Sequence, residues 1–125
     1  MRMRWWISLL VVAVVTAGCG GSGQQTTTEV EKYELTITGK DNAFEPDQVE
    51  IKAGREYEFT FKNQGTAVHN LVIQVKGAAE QDFTSDVAVN AGAESEFKVR
   101  LDREATYVMQ CTYHPEMIGA LKVVR

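Results

Sequence analysis

The chain of 125 residues is short of several things, and each shortage narrows what it can be. It has two cysteines, too few to build a densely bridged disulfide scaffold. It has two histidines, too few for several metal centres, and two prolines. Basic residues are outnumbered: 13 Lys and Arg stand against 17 Asp and Glu, for a formal net charge of −4. With no basic surplus to neutralise a phosphate backbone, no nucleic-acid partner is expected. No internal repeat occurs, no segment carries the pattern of a long helix, and no apolar run reaches the ~20 residues needed to span a bilayer. What remains is ordinary globular material, 44% hydrophobic and 24% charged, in one domain's length of chain.

The first eighteen residues read as a signal peptide. Arg2 and Arg4 precede an apolar run, Trp5 to Val15, broken only by Ser8. Thr16, Ala17 and Gly18 then lead to Cys19, which resembles a bacterial or archaeal lipobox with Thr16 in the place usually held by Leu. Lipidation at Cys19 is therefore expected, giving an extracytoplasmic protein anchored to the cell membrane, in a periplasm or at a cell surface. Residues 19–32, the lipidated Cys followed by GGSGQQTTTEVEK, have no apolar periodicity and read as a flexible tether of about 20 Å typical reach.

From residue 33 the chain alternates. Tyr33, Leu35 and Ile37 share a face, as do Val49 and Ile51, then Tyr57, Phe59 and Phe61. The same holds for Leu71, Ile73 and Val75, for Phe97, Val99 and Leu101, for Tyr107 and Met109, and for Leu121 and Val123. Period two repeated this often predicts half-buried antiparallel strands, separated by turns at Glu45-Pro46-Asp47, Ala53-Gly54, Asn63-Gln64-Gly65, Asn90-Ala91-Gly92 and Asp102-Arg103. Seven or eight strands in residues 33–125 fit an all-β Greek-key sandwich around one core. Gly77 to Asp86 is the least regular stretch and has room for one helical turn.

Chemistry concentrates near the C-terminus, where Cys111, His114 and Met117 stand in a C-x2-H-x2-M pattern; the other histidine, His69, lies far upstream. Two imidazoles, a thiolate and a weak thioether are the donors of a trigonal His₂Cys copper site with axial Met. Cys111 shares parity with Tyr107 and Met109 and so faces inward at the end of a strand. A turn through Pro115 brings His114 and Met117 round to it. His69 shares parity with Leu71 and Ile73 and also faces inward. Taken singly, each has a bland alternative: a structural His, a core Met, an inert buried Cys. Jointly they favour metal, because with Cys19 lipidated Cys111 is an unpaired thiol outside the cytoplasm. Zinc is the second metal, but Met is a poor ligand for it and a fourth strong donor is missing.

These residues resemble the small blue-copper cupredoxins, the plastocyanin, amicyanin and halocyanin group. Cys111-Thr112, His114-Pro115, Met117 and Gly119 are most similar to the short ligand loop of amicyanin. His69-Asn70 resembles the first-ligand motif, and Asn42-Ala43-Phe44-Glu45-Pro46 the early loop near the metal. The resemblance covers residues 33–125. It implies one copper per chain, cycling between Cu(I) and Cu(II), held by His69, Cys111, His114 and Met117. It further implies that Asn70 latches the ligand segments, its backbone N–H to the Cys111 sulfur and its side chain to Thr112. The implied function is that of a monomeric electron carrier rather than an enzyme, whose redox donor and acceptor dock near His114 on an apolar rim of Phe44, Ala67, Val68, Pro115 and Ile118. The alternative is an extracytoplasmic copper chaperone delivering copper to an oxidase. The chain has neither the His tract nor the Met-rich tail that would support that role. A copper oxidase or nitrite reductase needs further His ligands, and both His are already used.

Overall fold

The computed structural model describes residues 31–75 and 81–125. The expected signal peptide, Cys19 and all but the last two residues of the tether lie outside the described residues. Among the described residues nine strands form: β1 (Tyr33–Lys40), β2 (Ala43–Glu45), β3 (Gln48–Lys52), β4 (Glu56–Asn63), β5 (Val72–Gln74), β6 (Phe83–Thr84), β7 (Glu94–Arg100), β8 (Ala105–Gln110) and β9 (Ile118–Val124). Among the described residues there is no helix, and so none long and apolar enough to cross a membrane. One sheet has the order β2-β1-β4-β7 and the other β3-β9-β8-β5-β6. The all-β sandwich is as expected, with nine strands where the alternation predicts seven or eight. The strands that alternation misses are short: β6 has two residues and β2 three, and neither lies within a longer alternating run, as the three-residue β5 does between Leu71 and Val75. Of the stretch expected to hold a helical turn, residues 77–80 lie outside the described residues, and β6 occupies part of the rest.

The sheets are mixed, which corrects the expectation of antiparallel strands throughout. β1 pairs with β4 in parallel and β3 with β9 in parallel, while the remaining ladders are antiparallel. The reason lies in the connections. The chain leaves the first sheet after β2, lays β3 in the second, and returns to place β4 beside β1 in the same direction. A period of two reports which face is buried and says nothing about the direction of the neighbour.

The inward faces meet as the alternation requires. Ile37, Phe59, Phe61 and Val99 from the first sheet and Ile51, Ile73, Met109 and Leu121 from the second are all buried. Each such side chain contributes about 1.5–3 kcal/mol through burial. The outward faces carry exposed cross-strand ion pairs, among them Lys62–Glu94 and Lys122–Glu50, which sit directly opposite one another. Exposed pairs of this kind contribute about 0–1 kcal/mol each.

The topology also gathers the chemistry. β8 ends at Gln110, directly before Cys111; β9 begins at Ile118, directly after Met117; β5 begins shortly after His69. β1 and β4 end at Lys40 and Asn63 beside the same loops, as the hydrogen bond from Gln64 N to Gly39 O (2.8 Å) shows. All of the candidate ligands therefore lie at one end of the sandwich.

Candidate metal centre

The last rung of the β8–β9 ladder, Gln110 opposite Ile118, fixes the two ends of the loop carrying residues 111–117. The loop closes on itself: Cys111 N–H donates to Met117 O (3.1 Å) and Met117 N–H donates to His114 O (2.9 Å). His69 is held from the other side of the cleft by an isolated antiparallel bridge to Val89, with N–H donated each way at 3.1 and 2.9 Å. The structure brings His69, Cys111 and His114 together, and Met117 is bound to the same loop through its backbone. Cys111, His69 and Met117 are fully buried, and His114 is half-buried.

Cys111 Sγ lies 3.7 Å from His69 Nδ1 and 3.8 Å from His114 Nδ1. The three donor atoms all fall within 4.8 Å of one another, and the imidazole centroids are 4.4 Å apart at 43°. Two metal–donor bonds of about 2.0–2.3 Å, opened to about 120°, separate their donors by about 3.7 Å. The spacing therefore fits a trigonal N₂S set around one first-row metal ion. Both Nδ1 atoms face the thiol, so both rings present the same nitrogen to that point. Met117, at the end of the same loop, packs its buried side chain against β1. Its methyl lies 3.2 Å from where a Cβ at Gly39 would sit, and that Cβ would also come within 2.6 Å of the Phe61 ring. A glycine in β1 is what gives the thioether its room.

The Asn70 side chain joins the two ligand segments. Its Oδ1 accepts from Thr112 N (2.8 Å), and its Nδ2 reaches Thr112 Oγ1 (2.8 Å) and Val87 O (3.1 Å). The implied bond from the Asn70 backbone N–H to the Cys111 sulfur is not formed among the described residues; the latch is carried by the side chain alone.

Three residues near the site escape the sequence reading. Asn63 is buried and organises the loop before His69, accepting from Gly65 N (2.9 Å) and donating to Ala67 O (2.8 Å) and Val89 O (2.7 Å). Asp41, in the β1–β2 turn, accepts from Thr66 N (2.6 Å) and Thr66 Oγ1 (2.9 Å). Gly39 is the third. An Asn opening the Asn63-Gln64-Gly65 turn and a Gly inside a strand were the available signals, since the first caps turns and the second marks close approach.

The electrostatics follow from burial. Desolvation holds the His69 pKa below the usual histidine value, and His114 adds to this while Asp41 opposes it. Asp41 lies below the usual carboxylate range because the Thr66 backbone N–H and hydroxyl both bond its charged form.

The expected apolar rim is partly corrected. Ala67, Pro115 and Ile118 are exposed and Val68 half-exposed, but Phe44 is buried. Phe44 is the one inward position of β2, and its ring meets Phe61 edge-on at 6.2 Å. Tyr113 and Val87, both exposed, were not anticipated.

Comparison with known proteins gives the same picture. No curated protein sequence matches the chain. Among solved structures it is similar to auracyanin A, a blue copper protein of Chloroflexus aurantiacus: 20% identity, TM-score 0.64, covering 74% of this chain and 99% of that one. A purple cupredoxin of Nitrosopumilus maritimus is 26% identical with a TM-score of 0.54, covering 72% and 99% of the two chains. A copper-containing nitrite reductase of Thermus scotoductus is 24% identical with a TM-score of 0.55 over 74% of this chain, which spans only 22% of that enzyme. The profile of the cupredoxin-like domain matches residues 8–123, nearly the whole sequence. With that match, the two-sheet sandwich and the donor cluster at its end, the chain belongs to the cupredoxin-like domain family.

Proposed function

We propose that this protein is a type 1 copper electron carrier, with copper held by His69, Cys111 and His114 and capped by Met117. The observation that carries this reading is the convergence of two Nδ1 atoms and one thiol within 4.8 Å, beside a buried Met117. Copper bound there would supply a one-electron couple between Cu(I) and Cu(II). The residues do the rest. The bridge at Val89 and the Asn70–Thr112 latch keep the donors in place whatever the charge at the centre, and a fixed donor set is what fast electron exchange requires. Full burial of His69, Cys111 and Met117 excludes water and slows metal exchange, which favours a carrier over a copper chaperone. The chain's two histidines both lie at this one site, which leaves none for the second, catalytic copper of an enzyme such as nitrite reductase.

The half-buried His114 edge, rimmed by Ala67, Pro115, Ile118 and Tyr113, is the proposed contact for redox donor and acceptor. A small apolar contact suits brief redox encounters. Lipidation at Cys19 and an extracytoplasmic location remain part of the proposal. They are supported by the lipobox-like residues, and Cys19→Ser is expected to release the protein from membranes.

Titration of the metal-free chain with Cu(II), followed by visible absorbance and EPR, tests the reading. One equivalent should produce an intense colour that resists chelator and is absent in Cys111→Ala. A chain that stays colourless overturns it.

A further inference from the structure

His69 has a second nitrogen that the metal centre leaves unexplained. The ring is fully buried and turns Nδ1 toward Cys111, and an imidazole whose Nδ1 lone pair takes a metal or the thiol proton carries its own proton on Nε2. Yet among the described residues Nε2 has no hydrogen-bond partner, not even a backbone carbonyl. A buried N–H without an acceptor is rare and calls for one.

Gly65 faces this nitrogen. A Cβ there would lie 2.8 Å from His69 Nε2, 3.1 Å from Cδ2 and 2.9 Å from Asp41 Oδ1. The absent side chain thus leaves a notch bordered by the imidazole edge on one side and a carboxylate on the other. The carboxylate and the backbone at Gly65 are both held in place. Asp41 Oδ1 accepts from the Thr66 N–H and hydroxyl, which leaves Oδ2 for another donor. The Gly65 N–H is held by Asn63 Oδ1, and Gln64 is tied to β1 through Gly39 O.

We propose that Asp41 is a positioning residue for the centre: its carboxylate accepts the Nε2–H of His69 across the notch that Gly65 leaves. No direct bond forms in the present rotamer, so one water or a small turn of the Asp41 side chain closes the span. The contact locks the tautomer that presents Nδ1 to the metal, and it lends negative charge to the ring. A more electron-rich imidazole favours Cu(II) over Cu(I). The copper part of this inference rests on the function proposed above; the hydrogen bond does not.

The deciding experiment is therefore made first on the metal-free full chain. Proton–nitrogen NMR of the imidazoles should show His69 protonated at Nε2, with a proton protected from solvent exchange. Asp41→Asn keeps an oxygen for Thr66 but removes the charge, and should speed that exchange at least tenfold. Gly65→Ala, which fills the notch, should do the same. In the copper-loaded protein Asp41→Asn should raise the reduction potential, with a tenfold change in Cu(II)/Cu(I) preference corresponding to about 59 mV. A wild-type Nε2–H that exchanges at the solvent rate overturns the inference. So does an Asp41→Asn protein whose exchange is unchanged, even where its potential moves, since a distant charge would do that too. A protected, Asp41-dependent proton in a chain that binds no copper would sustain the hydrogen bond and overturn the carrier reading instead.

Discussion

Burial decides how His69 answers to acid. Its folded pKa lies below the ordinary value of about 6.5, so on acidification the unfolded chain takes up a proton that the folded, metal-free site refuses. Stability therefore rises with pH through this window and is complete above about 6.5. The Tm of the metal-free chain should fall between pH 7.5 and 5, and a Tm that rises on acidification would contradict the assignment. Asp41 adds a second step in the same direction. Its lowered pKa contributes stability above about 3.9 that is lost as pH falls through the folded value. Gly39→Ala drives a methyl to 2.6 Å from the Phe61 ring. It should cost about 1–3 kcal/mol by overpacking, read from urea midpoints. Met117→Gln should leave a copper-binding protein of altered colour. Residue by residue, the sequence shows Cys111, His114 and Met117 because they are neighbours in a recognisable spacing, and His69 because parity turns it inward. Gly39, Asp41 and Asn63 stay hidden because each acts on a segment distant in the chain or on the shape of a loop, and no local pattern encodes that approach.

Among the elements, a strand is legible where alternation runs long enough, within it as in β1 or just past its ends as in the three-residue β5. β1, β4 and β7 have seven or eight residues, enough to display alternation. β2 and β6 exist because a neighbouring strand offers an edge to pair with. Parallel pairing is equally invisible locally, since it arises from the chain crossing between sheets. The Asn70–Thr112 latch is where two segments become one unit. Asn70→Ala leaves the Thr112 N–H without its part-buried acceptor and should cost about 1–3 kcal/mol. Thr112→Ala should cost less, because Asn70 Nδ2 keeps Val87 O and Asn70 Oδ1 keeps the residue 112 N–H. Urea denaturation of the metal-free variants checks the order, and a reversal would place the latch elsewhere.

For the molecule as a whole, a metal that binds only the folded chain adds its binding free energy to stability. At a free concentration of 100 times Kd this is about 2.7 kcal/mol. A domain of this size should then melt about 10–20 °C higher with copper than after chelation. The formal charge is −4 for the full chain, and −6 once the proposed cleavage before Cys19 removes Arg2 and Arg4 (11 − 17); it sets the long-range field. Electron exchange with a small cationic reagent should slow as salt is added, and exchange with an anionic one should quicken.

The run of β1 carries a further consequence. The strand starts at Tyr33 and reaches the Met117 methyl only at Gly39, about 20 Å later at ~3.3 Å per residue. Whatever holds the chain upstream of Tyr33 thus grips the pole opposite the metal. A tethered copy would therefore carry its reactive tip at the far end from its mooring, free to swing on the flexible tether toward carriers diffusing past.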